Sequence, residues 1–143
     1  MCFSATASFT AGTVLIAFGA FTARRARRPA QLPFALIPVL FGVQQLIEGA
    51  LWMTFSGQEA HLNAVLTHLY SLFSHVLWPL YIPIAILLLE PVLWRRWLIS
   101  GVATAGAATA IFLLYFLVME PTVSRVVGQH IDYVSPQIGR AHV

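Results

Sequence analysis

The sequence has no lysine, one cysteine and few charges of either sign. Charged side chains make up 9% of its 143 residues, against roughly 25% in a soluble domain. Hydrophobic residues make up 59% and the mean hydropathy is +0.80. A chain this apolar cannot cover itself with polar surface, so a bilayer is its expected solvent. The single cysteine, Cys2, excludes an internal disulfide. No block is rich enough in Pro, Gly, Ser or charge to be a linker or tail, so one domain is expected. HExxH, CxxC and GxSxG, the strong metal and nucleophile signatures, are absent. No enzyme class follows from the sequence.

What charge there is, is clustered. Arg24, Arg25, Arg27 and Arg28 form RRARR, and Arg95 and Arg96 form a second pair. Nucleic-acid binding would need a basic surface on a soluble fold, so no nucleic acid partner is expected. A short basic block between apolar runs instead reads as a topology signal.

The apolar runs predict an all-α, polytopic transmembrane helix bundle with four spans, at about 3–23, 33–55, 62–89 and 98–119. In the first run the basic block follows the apolar stretch, the reverse of a cleaved signal peptide. Ser8, Gly12 and Gly19 lie near one stripe of it and permit close helix contact. The third run is too long for a simple span, and Pro79 and Pro83 predict a bend. The first half of the fourth, SGVATAGAATA, should pack tightly on a neighbour, and such small-residue faces could also serve a homo-oligomer. With four spans both arginine clusters fall on one side. The positive-inside rule makes that side cytoplasmic, with the N-terminus, SGQEA (Ser56 to Ala60) and everything after Glu120 outside. His130 and Asp132 then fall in an outer segment read as a solvated loop, with capping of a site as the alternative.

The opening MCFSATASF (Met1 to Phe9), the stretch Arg24 to Trp52 and WPLYIPIAILLLEP (Trp78 to Pro91) resemble an uncharacterised family of bacterial multi-pass membrane proteins. The resemblance runs to about Pro136. It implies an integral protein of the bacterial inner membrane and no known activity. It also implies a longer protein with further spans. The last six residues, IGRAHV (Ile138 to Val143), match one reading frame of a sequencing adapter. The natural domain is therefore expected over residues 1–137 of a truncated chain.

Within the spans, ionisable groups are functional candidates because each costs a few kcal/mol at membrane depth. Gln44, Gln45 and Glu48 share a face of the second span. His61, His68 and His75 recur every seven residues in the third, which predicts one stripe. Counted from the turn between these antiparallel spans, Glu48 and His68 reach equal depth at ~15 Å, so they are expected to face each other. Three readings follow. Glu48, His68 and His75 could help hold a transition metal or a haem. Two histidines seven apart are ~10.5 Å apart on one helix, however, so a third ligand from another span or from Cys2 would be needed. They could form a proton or ion path, or a substrate pocket, in a small carrier or channel. Or the cluster could be a structural tie between spans. Cys2 itself, with Met1 removed, would offer an amine and a thiol to a metal or lipid; otherwise it packs as a small hydrophobe. Ser71 and Ser74 near the histidines do not make a nucleophile–base pair.

Overall fold

Each turn of the chain falls where prolines, arginines or polar caps interrupt an apolar run. The computed structural model describes residues 4–55, 59–120, 122–128 and 130–134. Helix α1 (Ala5–Arg25) starts at Ser4, whose hydroxyl accepts the Ala7 N–H at 3.3 Å. It stops at the arginine block. There the Gln31 side-chain oxygen accepts the N–H groups of Arg27 at 2.8 Å and Arg28 at 3.2 Å, which fixes the turn. A 3-10 turn (Pro29–Gln31), α2 (Leu32–Ala35) and α3 (Ile37–Thr54) make the second span. Pro29, Pro33 and Pro38 sit in the first or second position of these segments, where a missing N–H costs little.

The third span, Ala60–Leu89, is continuous but changes its winding. Helix α4 (Ala60–Ser71) passes through a π-helical segment (Leu72–Leu77) into α5 (Trp78–Leu89). Pro79 cannot donate to the carbonyl four residues back, and its ring would crowd that carbonyl. The backbone widens just before it, and Trp78 N–H bonds the carbonyl of Phe73 instead. The expected bend is thus a π segment rather than a simple kink. Helix α6 (Leu93–Met119) begins before the expected Leu98 and takes Arg95 and Arg96 into its first turns. All four spans are long and apolar enough to cross a membrane.

Spans one and two pack through small residues. A Cβ on Gly12 would meet the Gly42 carbonyl and Leu46 at 2.9 Å, and one on Gly19 would meet the Val39 backbone N at 2.6 Å. As the α1 number falls the facing α3 number rises, so the two run antiparallel. Ser8, Gly12 and Gly19 are the buried residues of α1. In α6, Gly106 lets the helix rest on the carbonyl oxygen of Pro79. These small residues meet neighbours within the chain.

After Glu120 the chain is not a free loop. Strands β1 (Val123–Val127) and β2 (His130–Val134) pair antiparallel, with Val127 opposite His130 and Arg125 opposite Asp132. Gly128 takes a positive φ of 63° at the turn, a conformation that suits glycine. The hairpin's Ser124 and Ile131 are buried, and β1 packs on α4.

Candidate functional site

The polar face of α3 is buried as a unit: Gln44 is 6%, Gln45 8% and Glu48 2% exposed. Gln45 and Glu48 are one turn apart, and the Gln45 amide donates to the Glu48 carboxylate at 3.1 Å. Gln44 points to the third span, where its carbonyl accepts the indole N–H of Trp78 at 2.6 Å. Trp78 in turn stacks on Phe41, ring centroids 4.1 Å apart.

The groups that α4 offers to this face are not its histidines. Tyr70 lies beside the Gln44 amide and within electrostatic range of Glu48. Its ring stacks on Tyr133 of the hairpin at 4.8 Å with 4° between the planes. Tyr133 senses both Tyr70 and Glu48. Burial, then these two neighbours, pushes the Tyr133 phenol above its ordinary range, so it stays a neutral O–H. Among the described residues that buried hydroxyl has no hydrogen-bond partner. Two further buried hydroxyls, on Ser8 of α1 and Ser71 of α4, and the indole N–H of Trp52, one turn beyond Glu48, are likewise unpartnered.

A chain of hydrogen bonds clamps the hairpin beside this cluster. Thr67 donates to Ser124 at 2.8 Å, and Ser124 donates to the Asn63 carbonyl at 2.9 Å. Asn63 donates to Thr54 at 2.8 Å, and Thr54 donates to the Leu51 carbonyl at 2.7 Å. Every link runs in one direction, so the Ser124 and Thr54 hydroxyls each both give and accept. The chain ties the second span, the third span and the hairpin together.

The histidines lie elsewhere. His61 and His68 share a shallow outer groove with Ala64, Val65 and Leu69. His75 leaves their stripe because the π segment changes the winding under it. Its Nδ1–H donates to the Ser71 carbonyl at 3.1 Å, and it borders a pocket with Leu113, Phe116 and Glu120. The face of α4 turned inward carries Thr67, Tyr70 and Ser71, with Asn63 one turn before them. That is a helical i, i+4, i+7, i+8 stripe, legible in the sequence as Asn63, Thr67, Tyr70 and Ser71. The apolar alternation around Gly128 was the matching signal for the hairpin that supplies Tyr133.

Among the described residues, no three His, Asp or Glu side chains meet at metal-binding distance. Among the described residues, Glu48 accepts from the Gln45 amide, with the Tyr70 and Tyr133 phenols within electrostatic range. Cys2 and Gln58 lie outside the described residues, as do residues 138–143.

Four apolar helices with a buried, partly unsatisfied polar cluster define a polytopic membrane protein. The chain belongs to the family of unknown function DUF6629, whose sequence pattern matches residues 1–140. No curated protein and no solved structure matches it.

Proposed function

We propose that the protein binds a small polar solute within the membrane, at Glu48 and the tyrosine pair, under the hairpin. The observation that carries this is the Tyr133 hydroxyl, buried and without a hydrogen-bond partner among the described residues, within electrostatic range of an acid that is itself 2% exposed. Native interiors pair nearly all such groups. A carboxylate beside a phenol O–H offers one strong acceptor and one donor. Tyr70 stacks on Tyr133, and Trp78 is bonded to Gln44 of the same polar face. That chemistry suits a solute bearing a protonated amine, held by charge and ring faces. The topology proposed with it places the N-terminus and the hairpin outside and both arginine clusters in the cytoplasm of a bacterial inner membrane.

A second reading, a carrier or proton path, draws on the π segment. It leaves the third span a soft joint next to the site, and π segments are frequent where helices do work. In that reading the proton itself occupies Glu48.

The test is extraction and mass spectrometry of small molecules from detergent-purified protein, beside Glu48→Gln and Tyr133→Phe. Expected is a stoichiometric solute in the unmodified chain, lost in Glu48→Gln although that variant inserts and folds. Binding of a panel of primary amines, followed by thermal stability, should vanish in the same variant. A Glu48→Gln protein that retains every bound species would reduce Glu48 to a structural tie.

A further inference from the structure

At the end of the bundle away from the hairpin, an open recess lies against the RRARR turn. Its volume is about 430 Å³, within the ~300–1,000 Å³ of small-ligand pockets. Phe21, Ala26, Phe34, Ala35 and Leu89 make its walls, and Arg25 and Gln31 stand at its edge. Phe21 and Phe34 are 55% and 49% exposed, so the walls open toward the surrounding lipid. The recess is built from three spans: the end of α1, the 3-10 turn with α2, and the end of α5.

Its polar edge is held in place. The Arg25 guanidinium lies over the Phe21 ring, 4.9 Å from the centroid. Gln31 clamps the backbone of Arg27 and Arg28 beside it. Thr22, also on the wall, gives its hydroxyl to Gly19 and Ala35 carbonyls at 2.9 Å, which fixes α1 to α2. Arg24, Arg25, Arg27 and Arg28 therefore converge on one short turn, and among the described residues none of them has a carboxylate within ion-pair distance. Four like charges at one bilayer surface call for an anion. An apolar wall immediately below them calls for hydrocarbon.

We propose that this recess binds an anionic membrane phospholipid, its phosphate on Arg25 and the neighbouring arginines and the upper part of an acyl chain against Phe21, Phe34 and Leu89. Arginine suits the task because its planar fork can hold two phosphate oxygens at once. The stacking on Phe21 orders that fork before a lipid arrives, which lowers the entropic cost of binding. This assigns the arginine block a ligand in addition to its role in orientation.

The test is native mass spectrometry of the intact chain in detergent, titrated with dioleoylphosphatidylglycerol, dioleoylphosphatidylcholine or inorganic phosphate. Phosphatidylglycerol should bind at least about fivefold more tightly than phosphatidylcholine, the worth of roughly one arginine at a membrane surface. Arg25→Gln should remove most of that preference, and Arg95→Gln, on the same side but off the recess, should keep it. Phe34→Ala should weaken both lipids alike, a readout that survives if Arg25→Gln fails to fold. Equal affinity for the two lipids would overturn the proposal. So would an Arg25→Gln protein with the preference intact, or displacement of phosphatidylglycerol by low-millimolar inorganic phosphate, which would mark a soluble-anion site.

Discussion

Replacing Gly106 with alanine tests the contact on which the second half of the bundle rests. The added methyl would overlap the Pro79 carbonyl oxygen and lie 3.1 Å from its carbon. Both are backbone atoms, and Pro79 is fixed by its ring and by the π segment before it, so no flexible end can yield. Helices α5 and α6 must separate. Overpacking of this kind costs about 1–3 kcal/mol, and the rigid partner puts this site at the upper end. Alanine returns up to ~1 kcal/mol of helix propensity, so the net loss should be about 1–2 kcal/mol. Gly101 supplies the control on the same helix: a Cβ there meets nothing within 4 Å. Gly101→Ala should therefore be neutral or stabilising by up to ~1 kcal/mol. The assay is thermal unfolding in detergent micelles, followed by tryptophan fluorescence, with both variants beside the unmodified chain. If Gly106→Ala matched or exceeded Gly101→Ala in stability, the close approach of α6 to Pro79 would be wrong.

Asn63→Ala breaks two links of the polar chain, taking from Ser124 its acceptor and from Thr54 its donor; a loss of about 1–3 kcal/mol is expected, read as faster amide exchange at Val126 and Ile131 with exchange in α1 unchanged. Tyr133→Phe removes an unpaired buried hydroxyl, so stability should hold or rise by up to ~1 kcal/mol, while any bound solute is released more readily; a clear drop in melting temperature would mean the hydroxyl has a structural partner. Gly42→Ala drives a methyl to 2.7 Å from the Gly12 carbonyl and 2.6 Å from Ile16. It should part α1 from α3 at a cost of about 1–3 kcal/mol, seen as protease sensitivity of α1 in micelles.

The spans were legible because they rest on composition: runs of apolar residues ended by RRARR, a polar turn, a Pro–arginine cluster and Glu120-Pro121. The α1 stripe of Ser8, Gly12 and Gly19 was legible for a similar reason, since only small residues let two backbones meet. The site was half legible. Gln44 and Gln45 are buried together with Glu48, which lies four residues after the one and three after the other. Their partners were missed because a heptad of histidines draws attention more than a scattered Asn, Thr, Tyr and Ser, although both stripes are helical. The heptad also assumes a constant winding, which Pro79 breaks by imposing a π segment at His75. The hairpin was missed because strand pairing is non-local: VSRVV and HIDYV alternate too briefly to declare themselves without the surface of α4 that receives them.

Why Glu48 is a glutamate is the question these observations narrow. Its one described hydrogen bond comes from Gln45, and a glutamine at position 48 could accept the same bond. A tie between spans does not need it either, because Gln44 already reaches Trp78 and the Thr67–Ser124–Asn63–Thr54 chain already joins the second and third spans to the hairpin. A charged side chain at membrane depth carries a penalty of about 3 kcal/mol on insertion scales, which glutamine would largely avoid. What glutamine cannot do is gain and lose a proton or neutralise a cation. A carboxylate where Glu48 meets the fields of Tyr70, from the third span, and Tyr133, from the hairpin, is thus more costly than a packing role requires, and that excess is what supports the proposed binding of a cation or proton at Glu48.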